Sequence, residues 1–362
     1  MAHRLPGEHL PQGVLIFRTG QLGDTLVSLP AIHAIRMRHP GSVLVLLTDR
    51  HPGRNFVSSW DVLCDTGWVE EVEFYAPSPG VAGKLANLWA LMRNLRRRSL
   101  GHAYLLTPPR TAWQRWRDLV FFRWLVGVRH CHFSGVVESA LRTEDGRLAR
   151  RVSECQRLLA AVPGRAPPGF RLPVPAAALA EAEVALAGFS ASGARLVCIA
   201  PGSKMPAKIW PVERYLELGH RLLVAHGDLR FVVLGGSEDA AAGEALCAAW
   251  GARAINLAGR VSVMGAAAVL KRCAAYVGND TGTMHLAAMA GVRCVALFSA
   301  RDNPGKWEPY GEGHSVLRHE TDCAGCMLEV CSARANECLR LIAVDEVLAA
   351  TLATLNPAGS SN

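Results

Sequence analysis

Short apolar segments alternate with longer amphipathic segments along the chain, and this alternation restricts the fold more than any other feature. The apolar segments are residues 14–17, 43–47, 103–106, 195–200, 230–235, 254–257, 273–277 and 294–299. Most are rich in leucine or β-branched residues, which is typical of strands that are buried on both faces. Strands that alternate with helices form parallel sheets covered by helices on both faces. The predicted fold class is therefore α/β.

The intervening segments predict helices. In residues 25–38, leucine and isoleucine recur every three positions, which gathers them on one face of a helix. We predict further helices at residues 82–98, 113–125, 211–225 and 239–250, and another that begins near Val263.

A proline-rich stretch separates two such series. Residues 162–175 read VPGRAPPGFRLPVP, and five prolines with two glycines cannot continue a helix or a central strand. We therefore predict two Rossmann-like domains facing each other across a cleft, with ligands at the carboxyl ends of the strands. The predicted limits are residues 13–175, with the linker at their end, and residues 176–362, with a cysteine cluster and a terminal helix.

Composition and charge narrow the class of protein. Half of the residues are hydrophobic and 19% are charged, which indicates a globular chain. No apolar run reaches the roughly 20 residues of a membrane span, and the amino-terminal residues lack the apolar core of a secretory signal. We therefore expect the protein in the cytoplasm. The net charge of +8 suits an anionic partner, although a solvated arginine-rich surface has the same composition.

The basic residues concentrate in residues 93–98 and 110–124. In the second of these stretches, tryptophan and phenylalanine are interleaved with arginine, as in helices that lie on anionic lipid. A core helix with arginine on its outer face shows the same pattern. Both interpretations stand at this point.

A glycine-bearing turn follows the first strand. Gly20 and Gly23 allow a tight turn and a close approach of a ligand, and Asp24 lies at the start of the next helix. A carboxylate at this position usually caps the helix, and catalysis is the alternative. The spacing is GxxGD rather than GxGxxG, and no acidic residue closes the second strand in the dinucleotide manner. A nicotinamide site is therefore weakly supported.

Two turns of the second half carry charged residues. PGSKMPAKIWP, residues 201–211, contains Ser203, Lys204 and Lys208, and a lysine there suits a diphosphate if it is not merely solvated. Glu238 follows a glycine pair, where it would accept hydrogen bonds from ribose hydroxyls or interact with the dipole of the next helix.

GNDTGTMHLAAMAG, residues 278–291, is the strongest candidate for a binding site. Asp280 follows a strand, while Thr281, Gly282 and Thr283 begin a helix whose free amides attract anions. His285 lies in the first helical turn, where it would donate to the anion if protonated, donate to a neighbour if neutral, or simply pack on the helix flank.

Four cysteines form a C-x2-C-x4-C-x6-C array near the carboxyl terminus. Cys323, Cys326, Cys331 and Cys338 would ligate a structural zinc or iron ion, and reduced thiols or a disulfide are the alternatives. We do not expect a catalytic role for them.

Together these motifs resemble glycosyltransferase family 9, the ADP-heptose:lipopolysaccharide heptosyltransferases. The resemblance lies in GQLGDTLVSLPAIHAIRMRHPG, in GNDTGTMHLAAMAGVRCVALF and in the W-x-P of KWEPYG, and it spans most of the chain. It implies a GT-B architecture whose first domain binds the acceptor and whose second binds a nucleotide-sugar donor.

The resemblance also implies roles for individual residues. Asp24 would be the catalytic base, on an acceptor side that includes Gly20, Gly23 and Arg110. The donor side would include Ser203, Lys204, Lys208, Glu238, Asp280, Thr281, Gly282, Thr283 and His285. Within it, Lys208 of the K-x-W-P motif and the helix start would contact the diphosphate, and Glu238 the ribose. Lys204 competes for the phosphate role, and the loop around Arg110 departs from many relatives.

The implied reaction is an inverting transfer of heptose, or a related sugar, from ADP-heptose to a lipopolysaccharide-core or other glycan acceptor. No metal or other cofactor would be required, and nucleic acid is not an expected partner. If the acceptor is lipid-anchored, peripheral contact with the cytoplasmic face of the inner membrane follows. The rival hypothesis is a non-catalytic nucleotide- or sugar-phosphate-binding protein of the same fold, which would have no need of Asp24.

Overall fold

The computed structural model describes residues 12–50, 57–75, 80–135, 142–164, 170–189 and 193–356. These residues divide into two compact units. The first lies within residues 1–138 and 154–170, and the second within residues 139–153 and from 171 onwards. The limits inferred from the sequence, 13–175 and 176–362, stay a prediction. That residues 142–153 pack with the second unit was not foreseen.

The described part of the first unit contains a five-stranded parallel sheet in the order β3-β2-β1-β4-β5. Its elements are, in chain order, β1 (Gly13–Phe17), α1 (Leu22–Leu26), α2 (Leu29–Arg38), β2 (Leu44–Asp49), α3 (Ser59–Leu63), β3 (Glu71–Tyr75), α4 (Val81–Arg96), β4 (Leu100–Leu105), α5 (Ala112–Leu119), a π-helical segment (Val120–Val126), β5 (His130–Phe133) and α6 (Glu154–Leu159). Leu15, Ala103, Leu91, Leu95 and Phe122 belong to its core.

The described part of the second unit contains a six-stranded parallel sheet in the order β11-β10-β9-β6-β7-β8. Its elements are α7 (Ala176–Ala185), β6 (Arg195–Ala200), a 3-10 turn (Pro206–Lys208), α8 (Val212–Ala225), β7 (Leu229–Val233), a 3-10 turn (Ser237–Asp239), α9 (Ala240–Trp250), a 3-10 turn (Gly251–Arg253), β8 (Ala254–Asn256), α10 (Val263–Leu270), β9 (Cys273–Asn279), α11 (Gly282–Met289), β10 (Cys294–Phe298), β11 (Ser315–Arg318), α12 (Glu337–Arg340) and α13 (Val344–Leu355).

All eight predicted strands are present, and the α/β fold class is confirmed. Three further strands, β3, β5 and β11, were missed. Each lies at a sheet edge, and the sequences of β3 and β5, EVEFY and HCHF, place polar residues at alternate positions. An edge strand has one neighbour and is partly solvated, so its sequence lacks the apolar run that marks a central strand.

Two predicted helices differ in detail. The helix expected at residues 25–38 is divided into α1 and α2, with Pro30 in the first turn of α2. Proline has no N–H to donate, and its ring clashes with the carbonyl four residues earlier, so it starts a helix rather than continuing one. The helix expected at 113–125 is α-helical only to Leu119. It continues as the π-helical segment until Gly127, whose φ of +92° ends it.

No helix in the described ranges is long and apolar enough to cross a bilayer.

Candidate functional site

The carboxyl edge of each sheet gathers the predicted site residues of that unit. In the first unit β1 lies between β2 and β4, so the turns after Phe17, Asp49 and Leu105 are neighbours. In the second unit β6 lies between β9 and β7, which brings the segments after Ala200, Asn279 and Val233 together. Ligands of open parallel sheets bind at this edge.

Asp24 is oriented by its own turn. Its Oδ2 accepts a hydrogen bond from the backbone N–H of Gln21 at 3.0 Å, and its Oδ1 lies 3.4 Å from a guanidinium nitrogen of Arg18. The side chain of Asp24 is nevertheless 35% exposed. The carboxylate therefore takes part in capping α1 and remains open to solvent.

Gly20 is required for this geometry. Its φ is +121°, and a Cβ atom there would lie 2.7 Å from Oδ2 of Asp24. The N–H of Gly20 donates to Oδ1 of Asp49 at 3.1 Å. Asp49 is the last residue of β2, so our statement that no acidic residue closes the second strand was wrong. Gly23 lies inside α1.

Arg18 is a buried anchor that the sequence analysis missed. Its guanidinium donates to the carbonyl of Leu106 at 2.8 Å and to the carbonyl of Asp24, and the residue has no exposed surface. Burial lowers the pKa of Arg18, and the charge of Asp24 opposes that effect. Arg18 thus ties the end of β4 to the turn that bears Asp24. A charged residue directly after an apolar strand was the available signal.

A buried ion pair, Arg157 with Glu154, lies at the same edge. Arg157 of α6 donates to the carbonyl of Thr107 at 2.8 Å, to the hydroxyl of Ser134 at 2.9 Å and to the carboxylate of Glu154 at 2.7 Å. These contacts attach α6 to the loops that follow β4 and β5. Nothing in the local sequence pattern of residues 154–157 indicated this role.

Arg110, predicted on the acceptor side, lies in the loop after β4. Its Nε is 3.3 Å from the hydroxyl of Thr107 and 3.5 Å from Oδ2 of the buried Asp118. Asp118 also binds Arg117 at 2.6 Å. The guanidinium of Arg110 is therefore held by α5, and its contact with an acceptor stays a prediction.

In the second unit, Asn279 fixes the segment that carries the lysines. Its Oδ1 accepts hydrogen bonds from the backbone N–H of Trp210 and the hydroxyl of Tyr215, both at 3.1 Å. Its Nδ2 donates to the carbonyl of Pro201 at 2.7 Å and to that of Gly202 at 3.2 Å. This fully buried amide holds both ends of residues 201–210 against the end of β9. A role for Asn279 was not predicted from the sequence.

Lys208 and Asp280 form a close ion pair at this edge. Their Nζ and Oδ2 atoms are 2.6 Å apart, and the two side chains are 15% and 9% exposed. The carboxylate of Asp280 therefore positions the lysine beside the start of α11.

The first-turn amides of α11 donate no hydrogen bond to the side chain of the N-cap residue. Thr281 is the N-cap and makes no side-chain capping hydrogen bond. By contrast, the N-cap residues Ser58, Thr111 and Ser262 each accept a hydrogen bond from a first-turn amide. The amides of Gly282 and Thr283 therefore lie at a helix start where partial positive charge accumulates.

His285 is buried and neutral. Burial lowers its pKa to about 4, the charge of Asp280 opposes the shift and that of Lys208 reinforces it. Its Nδ1 atom has no hydrogen-bond partner among the residues that the structure describes. Its ring meets the ring of Trp307, part of the predicted W-x-P element, in an edge contact with centroids 6.3 Å apart. A protonated His285 as an anion donor at neutral pH is therefore not supported.

The remaining predicted donor residues lie around the start of α9. The hydroxyl of Ser203 accepts a hydrogen bond from the N–H of Met205 at 3.2 Å. Lys204 and Glu238 are exposed. Asp239 is half-buried, and burial raises its pKa while the charge of Lys204 lowers it. Lys204 thus lies toward Asp239, and Lys208 toward Asp280.

The four cysteines of the array line one shallow, open cavity. All four are free thiols of intermediate exposure, and burial raises the pKa of Cys338. In the part of the chain that the structure describes, no three His, Cys, Asp or Glu side chains are arranged to hold a metal ion. The thiols are thus gathered without forming a ligand set.

The cysteine-bearing loop braces the lysine segment. The N–H of Ala207 donates to the carbonyl of Glu329 at 2.9 Å, and Nδ2 of Asn336 donates to the carbonyl of Pro206 at 2.7 Å. Both contacts are made by the two residues that precede Lys208. The position of the lysine therefore depends on the loop that contains Cys323 and Cys338.

Comparison with known proteins supports the motifs. Residues 165–336 match the family described as glycosyltransferase family 9 (heptosyltransferase). The lipopolysaccharide heptosyltransferase 2 of Salmonella typhimurium is 34% identical over 144 residues, which are 38% of this chain and 40% of that protein. The matched region thus spans about two fifths of that relative.

Solved structures resemble nearly the whole chain. The E. coli ADP-heptose lipopolysaccharide heptosyltransferase II matches with a TM-score of 0.68 at 19% identity, over 95% of this chain and 98% of that one. The E. coli heptosyltransferase WaaC with ADP matches with a TM-score of 0.64 at 19% identity, over 95% and 100%. These likenesses confirm the predicted GT-B fold class, and the sequence matches confirm the resemblance to glycosyltransferase family 9.

Proposed function

We propose that this chain, with its match to glycosyltransferase family 9, transfers heptose from ADP-heptose to a lipopolysaccharide-core acceptor with inversion at the anomeric carbon. The observation that carries the proposal is the pairing of Lys208 with Asp280 beside the uncapped first turn of α11. The relative from Salmonella is a lipopolysaccharide heptosyltransferase, and one similar structure contains ADP.

On the donor side, the diphosphate would bind the first-turn amides of α11. Helix starts bind phosphate through free N–H groups and the helix dipole. Lys208 would add a positive charge held in place by Asp280 and keep Asp280 from repelling the anion. Glu238, exposed after β7, would accept hydrogen bonds from the ribose hydroxyls. Of the two lysines, Lys208 lies next to the helix start, so we assign the phosphate to it rather than to Lys204.

On the acceptor side, Asp24 would act as general base. Its carboxylate accepts a proton from the acceptor hydroxyl as that oxygen attacks the anomeric carbon and the bond to the diphosphate breaks. Arg18 and the N–H of Gln21 hold the carboxylate in one orientation, and its exposed face is available to an incoming hydroxyl. Attack opposite the departing ADP inverts the configuration.

The departing ADP gains negative charge in the transition state. Lys208 and the amides of α11 are preorganised to stabilise that charge, a device that contributes a large part of the rate in many enzymes. We therefore propose a transfer in which these groups act on the leaving group and no divalent metal is needed. The rival, a non-catalytic nucleotide- or sugar-phosphate-binding protein, would use the donor side alone.

For the four thiols we propose a structural Zn²⁺ or iron ion. They line one cavity, and a bound ion would draw them together and stiffen the loop that braces Lys208. Elemental analysis of protein purified without chelator checks this. About one equivalent of metal, lost in a Cys326→Ser/Cys331→Ser variant, is expected, and a metal-free but stable wild-type protein would contradict it.

The transfer itself is tested by incubating the protein with ADP-heptose and a heptose-deficient lipopolysaccharide core. We expect an acceptor heavier by one heptose in the mass spectrum, ADP as co-product, and an anomeric configuration opposite to that of the donor by NMR. Parallel reactions with other nucleotide-heptoses show which nucleobase the donor must carry. Binding of ADP without any transfer would favour the non-catalytic rival, and the absence of nucleotide binding would overturn both.

A further inference from the structure

The first unit exposes an unusual set of large apolar side chains on α4, α5 and the π-helical segment. We call this set the tryptophan surface. Trp113, Trp116 and Trp124 are 64%, 61% and 74% exposed, and Trp89 of α4 is 58% exposed. Single exposed apolar residues are common, but several exposed indoles on adjacent elements mark an interaction surface.

The tryptophans lie on one side of their helical segment. Trp113, Trp116, Val120 and Trp124 follow one another at steps of three and four residues, a spacing that keeps side chains on one helix face. The buried residues of the same segment, Asp118, Phe122 and Val126, recur at steps of four and form the opposite face. The indoles are therefore not part of the core.

Helix α4 extends the apolar surface. It packs against the π-helical segment through its carboxyl-terminal half, where Leu91 and Leu95 are buried. Its amino-terminal half has no buried residue, and there Val81, Leu85 and Trp89 recur at steps of four with high exposure. An amphipathic helix whose amino-terminal half buries none of its side chains has an apolar stripe left for another surface.

Residues 80–135 are strongly basic, although Arg98 is paired with Glu71 and Glu73 of β3. Residues 80–135 contain one acidic residue, Asp118, which is buried and paired with Arg110 and Arg117. They contain ten basic residues, namely Lys84, Arg93, Arg96, Arg97, Arg98, Arg110, Arg115, Arg117, Arg123 and Arg129. Their net charge of +9 exceeds the +8 of the whole chain, so the remaining residues carry a net charge of −1. The positive charge of the protein is thus concentrated beside the exposed indoles.

Arginine and indole are in direct contact. The guanidinium of Arg93 lies 5.1 Å from the ring centroid of Trp89, and that of Arg117 lies 5.8 Å from the ring of Trp113. Tryptophan prefers the boundary between water and hydrocarbon, while basic residues bind the anionic head groups above it. Both preferences are met at the surface of an anionic bilayer. A protein partner would need a strongly acidic surface with matching apolar pockets.

We propose that the tryptophan surface docks the protein on anionic lipid, with Trp113, Trp116 and Trp124 at the boundary between head groups and acyl chains. The inference is independent of the transfer reaction, because docking needs neither donor nor acceptor. It fits an enzyme whose acceptor is embedded in a membrane, since one unit would then both dock and present Asp24.

The test is flotation of the full chain with large unilamellar vesicles. One set contains phosphatidylcholine alone, and the other an equal mixture of phosphatidylcholine and phosphatidylglycerol. The test variants are Trp113→Ser/Trp116→Ser/Trp124→Ser and Lys84→Gln/Arg96→Gln/Arg97→Gln. The matched control is Val184→Ser/Val224→Ser, which removes two apolar residues of the second unit that are 77% and 89% exposed. Circular dichroism checks the fold of each variant.

We expect wild type and control to float with the mixed vesicles, to float weakly with phosphatidylcholine, and to be released by salt. The partition coefficient of each triple variant onto the mixed vesicles should be lower than that of the wild type by about tenfold or more. Indole fluorescence of the wild type should be quenched by brominated acyl chains. Unchanged flotation of the tryptophan variant, or equal binding of the wild type to both vesicle sets, would overturn the proposal. It would also be overturned if the wild type does not bind vesicles but forms a dimer that the tryptophan variant does not form.

Discussion

The turn after β1 and the turn after β9 both lie at the carboxyl edge of a parallel sheet but present opposite charges. In the first, Asp24 accepts a hydrogen bond from the N–H of Gln21 and closes the start of α1 with its own carboxylate. In the second, Asp280 turns to Lys208 instead, and the start of α11 is left without a side-chain cap. The same kind of residue thus blocks one helix start and leaves the other open.

Because of this difference, the turn that bears Asp24 suits a proton acceptor, and the start of α11 suits the binding of an anion. A carboxylate held at a helix start is fixed and exposed, which suits a general base. An uncapped helix start with a lysine beside it attracts a diphosphate. Two copies of one local structure, a strand followed by a glycine-bearing turn and a helix, therefore perform the two halves of the proposed transfer.

The largest expected effect follows from removing the charge of Asp24. Asp24→Asn should lower kcat by about 10²–10⁴-fold and change ADP affinity only a few-fold, because the side chain acts on a proton and not on the donor. Asp61→Asn is the matched control, since Asp61 makes the same capping contact, to the N–H of Ser58 at 2.7 Å, at the start of α3. If both variants lose stability alike and keep their activity, Asp24 is only a cap.

The proposed diphosphate site at the start of α11 is tested by introducing a bulky side chain at Gly282. Gly282→Val should abolish the thermal stabilisation that ADP gives the wild type, because a branched side chain obstructs the first-turn amides. Gly227→Val is the control, since a Cβ atom at Gly227 would meet nothing within 4 Å. The variant and control should melt at similar temperatures without ADP. Stabilisation by ADP that survives in Gly282→Val would place the donor elsewhere.

Lys208→Ala should weaken ADP binding by roughly 1.5–3 kcal/mol, the usual contribution of a charge-assisted contact. Part of any loss of fold stability will come from Asp280, which would be left nearly buried without a partner. Lys306→Ala controls for this, because Lys306 pairs with Asp302 at 2.8 Å in the same unit. Equal ADP affinity of the two variants, with a loss in Lys204→Ala, would transfer the phosphate role to Lys204.

The smallest effect concerns pH. The pKa of His285 is lowered to about 4 from an ordinary value of 6.5, so protons bind the unfolded chain first as pH falls. Its contribution to stability is therefore complete above pH 6.5 and declines toward pH 4, by roughly 2 kcal/mol between pH 7 and 5. Urea unfolding at both pH values should show His285→Gln with a smaller decline than the wild type. An identical decline would mean that the ring is solvated.

The sequence predicted the central strands and the site turns because both have local signatures. An apolar run predicts a buried strand, and GNDTG predicts a turn before a helix. It did not predict that Asn279 would hold both ends of residues 201–210, or that Arg157 would connect α6 with the loops after β4 and β5. These contacts join residues 50 to 78 positions apart in some cases, so no local pattern contains them.

The protonation state of His285 and the ion-pair partners of the lysines could not be predicted from the sequence either. The neutral form of His285 results from burial, and the separation of Lys204 from Lys208 results from their different carboxylate neighbours. A residue order alone gives neither burial nor the direction of a side chain. Pro30, by contrast, was visible in the sequence and should have divided the helix that we predicted for residues 25–38.

The claim that the two turns divide the work is tested most directly by calorimetric titration of ADP into Asp24→Asn and Gly282→Val, side by side with the wild type. We predict that Asp24→Asn binds ADP with nearly wild-type affinity and that folded Gly282→Val shows no binding heat. Normal binding by Gly282→Val, or equal loss of binding in both variants, would contradict the division of roles between Asp24 and the start of α11.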